Sequence, residues 1–382
     1  MTTASRLRAF GTTIFTEMSA LAARTGAINL GQGFPDTDGP LEIIAAVETA
    51  MRAGANQYAP LPGVPELCAA IADHQRRRYG LQIDPADGVQ VTFGATEAIA
   101  ATMLGLLEPG DEVVVIEPFY DSYAATIAMA GATRRLVTLR PPDFALDLDE
   151  LAAAARGARM LLLSSPHNPT GRVLAREELE AVARLCADDD LIAVTDEVYE
   201  HLVFDGEHIP LATLPGMAER TLTISSAGKS FSFTGWKVGW ASGPPHLVAG
   251  VRAAKQFLTF AGGTPFQHAV AAALTDAERH VAPLCAALHA SRDRLCDGLR
   301  GAGFAVSVPG GGYFVNADIA PLGAGDARAW CRALPERAGV VAIPTSAFYD
   351  DAQAGRSLVR FAFCKRAAVV EEAVRRLSAP MR

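Results

Sequence analysis

Four short segments composed almost entirely of apolar residues are the feature that most constrains the fold of this chain. They span residues 112–116, 160–163, 191–194 and 221–224. A helical repeat, carried by Leu179, Val182, Ala183 and Cys186, separates the second segment from the third. Strands that are apolar along their whole length are typical of a parallel sheet buried on both faces, with helices covering those faces. We therefore predict an α/β fold with a mostly parallel sheet covered by helices.

The pattern changes near residue 280, where leucines at helical spacing lead into shorter strand-like pieces. These pieces lie at residues 304–308, 313–319, 340–343 and 358–363. At roughly 100–200 residues per domain, the length of 382 residues also favours two domains. We predict a large domain at 41–280 and a small α+β domain at 281–382. Residues 1–40, with a helix ending near Gly26, form a predicted arm that joins the small domain.

The composition limits the classes of partner. The formal net charge is −8, so electrostatic attraction to nucleic acid or to an anionic membrane is not expected. No apolar run reaches the ~18 residues that a membrane span needs, and the N-terminus lacks the apolar core of a secretory signal. The six cysteines contain no C-x-x-C pair and are too sparse for a disulfide framework. We expect a cytoplasmic protein with free thiols.

Polar and aromatic residues follow each of the four apolar segments. Phe119 follows the first, Asn168 the second, Asp196 with Tyr199 the third, and Lys229 the fourth. Ligands of open parallel sheets bind at the carboxyl ends of the strands, so we expect these side chains to share one rim. Upstream, the small residues of the segment 92–98 precede a helix, and a helix N-terminus attracts anions through its free N–H groups and its dipole.

This set of side chains fits pyridoxal phosphate. Lys229 would form a Schiff base with the aldehyde, Asp196 would keep the ring nitrogen protonated, and the helix N-terminus would hold the phosphate. Only four of the 34 basic residues are lysines, and a guanidinium cannot replace an amine nucleophile. Of the other lysines, we assign Lys255 and Lys365 to surface charge.

Other classes of site lack their sequence motifs. There is no G-x-x-x-x-G-K-[ST] phosphate loop, no G-x-S-x-G elbow and no complete dinucleotide fingerprint. Neither an H-E-x-x-H motif nor a local Cys/His cluster is present, so the sequence predicts no metal site.

The motifs also carry a family resemblance. The segment 225–240, SSAGKSFSFTGWKVGW, resembles the lysine signature of class I/II aminotransferases of pyridoxal phosphate fold type I. The segments PHNPTG at 166–171 and TDEVY at 195–199 agree in order and spacing. Within that family the chain is similar to the kynurenine/methionine aminotransferase branch. It most resembles actinobacterial proteins assigned as N-succinyldiaminopimelate aminotransferases, through NLGQGFPD at 29–36, EPFYDSY at 117–123 and VRFAFCKR at 359–366.

The resemblance implies roles around the cofactor ring. Lys229 matches the Schiff-base lysine, and Asp196 matches the partner of the ring nitrogen. Tyr199 matches the phenol that hydrogen-bonds the ring hydroxyl, and Asn168 matches the amide between that hydroxyl and the substrate carboxylate. Phe119 matches the aromatic side chain that stacks on the ring. Lys229, Asp196 and Tyr199 are therefore the expected catalytic residues.

The resemblance also implies contacts to the phosphate and the substrate. The expected phosphate contacts are Ala95, Thr96, Ser226, Lys237 and, reaching across from a neighbouring subunit, Tyr58. Arg360 matches the arginine that binds the substrate α-carboxylate, and Gly33 matches a backbone contact beside it. Because Tyr58 serves the neighbouring subunit, the resemblance implies a homodimer with shared active sites.

The resemblance predicts transfer of an amino group between an L-amino acid and a 2-oxo acid, with N-succinyl-LL-diaminopimelate and 2-oxoglutarate/glutamate as the expected pair in lysine biosynthesis. A distal substrate anion should recruit a second arginine, which the sequence does not single out. The alternative is a methionine/glutamine/kynurenine aminotransferase with aromatic residues at the cavity mouth, for which Phe260 and Tyr123 are candidates. Two rivals use the same cofactor: a cysteine-S-conjugate β-lyase and a noncatalytic regulator that senses it. The acidic charge argues against the regulator, whose relatives carry a basic DNA-binding domain.

Overall fold

A computed structural model describes residues 3–379 of the chain. Residues 1–2 and 380–382, the ends of the predicted arm and of the predicted small domain, lie outside the described residues. The strands are β1 (Ile28–Asn29), β2 (Val89–Phe93), β3 (Glu112–Glu117), β4 (Thr133–Thr138), β5 (Met160–Ser164), β6 (Ile192–Asp196), β7 (Thr221–Ser226), β8 (Val238–Ser242), β9 (Ala305–Ser307), β10 (Phe314–Asp318), β11 (Val340–Val341), β12 (Ile343–Pro344) and β13 (Leu358–Ala362).

Helices alternate with these strands along the chain. They are α1 (Ile14–Thr25), α2 (Leu41–Arg52), α3 (Pro65–Tyr79), α4 (Gly94–Leu106), α5 (Ser122–Met129), α6 (Leu148–Ala155), α7 (Arg176–Asp188), α8 (Ala227–Ser230), α9 (Pro245–Leu258), α10 (Thr264–Thr275), α11 (Ala277–Gly301), α12 (Ala327–Ala338) and α13 (Ala367–Ser378). Short 3-10 helices span Ser5–Leu7, Leu211–Thr213, Thr234–Trp236, Ala320–Leu322 and Thr345–Phe348. Between residues 3 and 379, no helix is both long and apolar enough to cross a membrane.

The central sheet has seven strands in the order β2-β8-β7-β6-β5-β3-β4. The four apolar segments are β3, β5, β6 and β7, and each pairs in parallel with its neighbour among them, as predicted. The sequence analysis did not predict β2, β4 or β8. Strand β8 runs antiparallel to both β2 and β7, so the sheet is mixed.

Burial on both faces explains why the central strands are apolar throughout. Val113 and Val115 of β3 pack in one apolar cluster with residues of α4, α5 and α9. Val114 and Ile116 of the same strand pack on the opposite face with residues of α6 and α7. Alternate side chains of one strand thus enter two different cores, and neither face tolerates a polar side chain without a partner.

The C-terminal part of the chain forms a second, antiparallel sheet in the order β12-β13-β10-β9. Strand β1 pairs with β11 instead, so the predicted strand at 340–343 is divided between two sheets. Helix α1 ends at Gly26, which adopts the left-handed conformation (φ 65°), as the sequence predicts. Residues of α1 share an apolar cluster with α11, α12 and α13. The arm at 1–40 and the boundary near 280, which falls inside α11, remain predictions.

Candidate active site

A cavity of about 390 Å³ opens at the carboxyl ends of the central strands. Its walls carry Asp196 from the end of β6, Lys229 from the short helix after β7, and Asn168 from the loop after β5. Arg360 enters from β13, in the second sheet. The cavity therefore joins residues from both sheets. The predicted residues that line it are Gly33, Ala95, Thr96, Asn168, Asp196, Tyr199, Ser226, Lys229, Lys237 and Arg360.

The amine of Lys229 is buried and held by oxygen atoms. Its Nζ donates to the Tyr313 hydroxyl at 2.7 Å and lies 3.5 Å from the carbonyl oxygen of Gly33. Tyr313 in turn donates to that same carbonyl at 2.6 Å. Burial lowers the pKa of Lys229 from 10.5 to about 8. At pH 7 an amine with that pKa is about a tenth neutral, compared with well under 0.1% at the ordinary pKa of lysine. Lys229 is thus prepared to accept a proton.

Asp196 is a carboxylate that no cation among the described residues contacts directly. It is 5% exposed and accepts a hydrogen bond from the Tyr123 hydroxyl at 2.6 Å. Burial raises the pKa of Asp196, while the bond from Tyr123 acts in the opposite direction. A buried carboxylate is costly without a positive partner. A protonated ring nitrogen placed beside Asp196 would supply that partner.

Arg360 forms the other charged wall. It is 1% exposed, and burial lowers its pKa from 12.5 to about 10. One guanidinium nitrogen donates to Asn168 Oδ1 at 3.1 Å and another to the Gly31 carbonyl at 3.2 Å. Its Nε has no hydrogen-bond partner among the described residues, and no salt bridge joins it to a carboxylate there. A buried guanidinium with free donor capacity fits a ligand carboxylate, which it binds through two parallel hydrogen bonds.

Helix α4 begins at the residue that follows β2, at the end of the cavity where we expect the phosphate to bind. Gly94 starts the helix with a positive φ of 76°, and a Cβ placed there would meet Lys237 Nζ at 3.1 Å. A Cβ on Gly239 of β8 would lie 2.6 Å from the Gly94 carbonyl carbon and 2.7 Å from the Ala95 nitrogen. Only glycine at 239 therefore lets the strand approach the turn this closely. Free N–H groups of α4, the Lys237 amine and Ser226 are the groups here that could hold a phosphate.

The donor, acceptor and charged groups around the cavity fit pyridoxal phosphate. The phosphate would lie against the start of α4, and the ring nitrogen would face Asp196. The ring hydroxyl would approach Tyr199 and Asn168, and the aldehyde would approach Lys229. Each of these residues offers the donor, acceptor or amine that the corresponding group of the cofactor requires.

One predicted cofactor residue lies elsewhere. Phe119 is 4% exposed and packs inside the apolar cluster with α4 and α5, away from the cavity wall. Its backbone N–H donates to the Phe348 carbonyl at 2.9 Å, which fixes the loop so that the next residue, Tyr120, lines the cavity. Tyr120 also lies 3.3 Å from Thr96 through their hydroxyl oxygens. We correct the assignment accordingly and propose Tyr120 as the aromatic residue that stacks on the ring.

Two further residues differ from the sequence-based interpretation. Lys255 is only 2% exposed, and its amine pairs with Glu97 at 3.1 Å, so its assignment to surface charge is wrong. Tyr123 bonds Asp196 beneath the cavity and does not lie at the cavity mouth. Tyr313 was not singled out at all, because no motif near the start of β10 links it to Lys229. Only the packing of the second sheet against the first brings their side chains together.

Tyr58 lies outside the cavity of its own chain. Its side chain is 83% exposed and contacts Phe260 edge to face, with ring centroids 5.7 Å apart. An exposed tyrosine in this position is compatible with the expected contact to a neighbouring subunit.

Known proteins resemble this chain along nearly its whole length. Residues 25–377 match the family model for aminotransferase class I and II. A Mycobacterium tuberculosis protein described as probable N-succinyldiaminopimelate aminotransferase DapC is 56% identical, with 98% of each chain covered. Methionine aminotransferase of Escherichia coli is 38% identical over 98% of this chain and 97% of its own length. The solved structure of N-succinyldiaminopimelate aminotransferase from Mycobacterium tuberculosis gives a TM-score of 0.96 at 57% identity, covering 98% of this chain and 99% of that chain.

Proposed function

This chain belongs to the class I and II aminotransferases, and from that premise we propose that its physiological amino donor is N-succinyl-LL-diaminopimelate. Family membership makes it a pyridoxal phosphate-dependent aminotransferase of fold type I, as the sequence resemblance predicted. In the proposed reaction, 2-oxoglutarate and glutamate are the partner pair that carries the amino group.

We propose the following chemical roles for the residues of the cavity. Arg360 and Asn168 bind the substrate α-carboxylate and orient the Cα–H bond toward Lys229. The bound cofactor supplies an electron sink conjugated to the substrate nitrogen. Lys229, whose pKa burial lowers to about 8, would serve as the base that removes the proton from the substrate Cα and as the acid that returns it. Asp196 would hold the ring nitrogen in its positively charged form.

The observation that carries the choice of donor is the 56% identity with the Mycobacterium tuberculosis relative over 98% of both chains. The cavity wall adds support, because Phe15, Phe34 and Phe314 offer an apolar surface for a methylene chain. The cations that line the cavity are Lys229, Lys237 and Arg360, and each has a role at the cofactor or the α-carboxylate. A cation for the distal carboxylates would therefore come from outside these lining residues.

A second candidate function is transamination of methionine or a similar apolar amino acid. The same aromatic wall would accept such a side chain, and the Escherichia coli relative is described as a methionine aminotransferase. Measured rates must decide between the two donors.

We expect N-succinyl-LL-diaminopimelate to be the fastest donor in single half-reactions. The enzyme is loaded with pyridoxal phosphate and mixed with one donor at a time, without acceptor: the succinylated compound, glutamate, methionine or kynurenine. The absorbance change as the cofactor converts to its pyridoxamine form gives kcat/KM for each. A margin of about 100-fold over methionine corresponds to ~2.7 kcal/mol, which one buried charge pair can provide.

The same assay distinguishes a wrong assignment of the amino donor from a wrong assignment of the reaction type. If methionine or kynurenine reacts fastest, the donor assignment is wrong and the aminotransferase activity stands. If a cysteine S-conjugate yields pyruvate and ammonia without any 2-oxo acid, β-elimination competes with transamination. The matched control is the unsuccinylated diaminopimelate, which keeps the reacting centre and lacks the distal succinyl carboxylate.

We also propose that two copies of the chain share their active sites. Tyr58, Phe257 and Phe260 are exposed apolar side chains, and Phe257 is 85% exposed. Phe93 is half exposed, and its ring packs against Gly262 in the space that a Cβ would need. It is also the residue directly before Gly94. The apolar surface therefore adjoins the proposed phosphate site. Exposed apolar patches of this kind mark interaction surfaces, and a second copy with the same patch would form a two-fold dimer.

Tyr58→Phe tests the shared site without removing apolar area. We expect about 10-fold weaker binding of pyridoxal phosphate, because one hydrogen bond to a charged phosphate is lost while the dimer persists.

Phe260→Lys should convert the dimer to a monomer in sedimentation experiments and reduce activity in parallel, whereas Leu148→Lys, at a similarly exposed apolar position on α6, should do neither. A fully active monomer would contradict the proposal.

A further inference from the structure

A second group of buried polar side chains lies behind the helix that carries Lys229. His74 comes from α3, and Glu200 and His201 follow the turn after β6. Their exposed fractions are 4%, 1% and 5%. Neither the cofactor nor the substrate contacts described above involve any of the three. Two imidazoles and a carboxylate form a donor set that proteins use for zinc and similar cations.

The distances between the donor atoms match a tetrahedral site. His74 Nε2 lies 3.2 Å from His201 Nε2 and 3.5 Å from Glu200 Oε2. All three ligand atoms lie within 4.8 Å of one another. With metal–ligand bonds of about 2.0–2.1 Å, the edges of a tetrahedron are about 3.3–3.4 Å long. A cation equidistant from the three atoms would therefore have normal bond lengths after small shifts.

The surrounding residues orient these ligands. Ser230 Oγ lies 2.7 Å from His201 Nδ1, which leaves Nε2 as the nitrogen that faces the group. Tyr79 donates to Glu200 Oε2 at 2.9 Å, and Ser225 donates to Oε1 at 2.5 Å. Ser225 bonds the Glu200 oxygen that the cation would not use, as outer hydrogen bonds do in known metal sites, and Tyr79 bonds the ligand oxygen Oε2 itself.

A route for a fourth ligand is present as well. A cavity of about 490 Å³ is lined by Tyr79, Glu200, His201, His208 and Cys285, among other residues. Water or a small anion in this cavity could approach the cation from the side that the protein leaves open. Three protein ligands with one open position are the usual arrangement of a zinc site that exchanges its fourth ligand.

We propose that His74, Glu200 and His201 bind a divalent transition-metal cation of the zinc type. No sequence motif predicts this metal site, because its ligands are not close together in the chain. His74 and His201 are 127 residues apart. The site also connects to the catalytic segment. Ser225 and Ser230, which hold Glu200 and His201, flank Ser226 and Lys229. A bound cation would thus stabilise the segment that positions the cofactor amine.

Metal binding to the holoenzyme tests the proposal. The pyridoxal phosphate-loaded protein is treated with a chelator, dialysed, and titrated with Zn²⁺ by calorimetry and with Co²⁺ by absorbance. We expect one cation per chain with micromolar or tighter affinity, visible d–d bands of tetrahedral Co²⁺, and a higher Tm in the presence of Zn²⁺. If the wild-type protein takes up no stoichiometric cation, the proposal is wrong, whatever the variants do.

Variants then locate the site. His74→Gln and His201→Gln keep a polar side chain and should each weaken binding by at least about 100-fold, and Ser230→Ala should weaken it by about 10-fold. His246→Gln, at an exposed position on α9, is the matched control and should bind normally. The cofactor absorbance of each variant without metal reports whether it has folded. Unchanged stoichiometric binding in both histidine variants would place the cation elsewhere and leave the three side chains as a hydrogen-bonded contact between α3 and the sheet.

Discussion

Lys229→Ala is expected to lower kcat by roughly 10⁴-fold or more while the protein still binds pyridoxal phosphate noncovalently. The change removes both the amine that attaches the cofactor and the group that moves the proton from Cα, and general acid–base catalysis alone contributes about 10²–10⁴-fold. The proposed contacts of Asp196, Ser226 and Lys237 to the cofactor would be unaffected, so binding should persist. Single-turnover absorbance and equilibrium dialysis measure the two effects separately.

Lys229→Arg is the matched variant for charge. Arginine retains the positive charge, but its pKa is too high for it to accept a proton or act as a nucleophile near neutral pH. We expect it to be as inactive as the alanine variant. Small primary amines added to Lys229→Ala should restore part of the rate, because they can enter the space that the side chain leaves. Turnover near that of the wild type in Lys229→Ala would contradict the proposed role.

Asp196→Asn should reduce kcat by roughly 10³-fold with little change in fold. The amide has the same shape as the carboxylate and can still contact Tyr123, but it cannot stabilise a positive ring nitrogen. A charge pair at ~3 Å with an effective dielectric constant of about 20 is worth ~5 kcal/mol, and loss of most of this energy corresponds to about three orders of magnitude in rate. Steady-state kinetics with saturating cofactor give the value.

Two comparisons make the Asp196 result specific. Tyr123→Phe removes the 2.6 Å hydrogen bond to Asp196 and leaves the carboxylate in place, so we expect a loss of only about 10-fold. A cofactor analogue methylated at the ring nitrogen carries a permanent positive charge and should restore part of the activity of Asp196→Asn. If Asp196→Asn retains full activity, the ring nitrogen has another partner.

Four of the seven strands of the central sheet could be predicted from the sequence. Strands β3, β5, β6 and β7 were predicted because both of their faces are buried, which leaves a continuous apolar run in the sequence. Strands β2, β4 and β8 were not predicted. Strand β4 lies at the sheet edge and carries Arg134 and Arg135, and β8 begins inside the lysine signature and contains Gly239 and Ser242, so neither displays that run. Edge strands need to satisfy only one neighbour, and their sequences are less restricted as a result.

In the proposed active site, local sequence predicted which loops meet, and contacts from distant parts of the chain set which side chains face the cavity. The residues that follow the central strands converge on one cavity, as expected when parallel strands end at a common edge. Whether Phe119 or its neighbour Tyr120 faces that cavity depends on the loop conformation, which is fixed by a hydrogen bond to Phe348 in the distant 3-10 helix Thr345–Phe348. Similarly, Lys255 is one of four lysines in the sequence, and only the position of Glu97 makes it a buried ion pair.

The amino-acid sequence alone was therefore enough to predict the α/β class, the family, and the polar residues that follow each central strand and are expected to hold the cofactor. These properties follow from local periodicity and from motifs whose members lie within a few residues of one another. Three contacts became apparent only from the folded chain: Tyr120 lines the cavity, Tyr313 accepts a hydrogen bond from the amine of Lys229, and His74 lies beside His201. Each of these contacts joins segments far apart in the chain, and the direction of a side chain across such a distance is set by packing of whole elements, which leaves no periodic trace in the sequence.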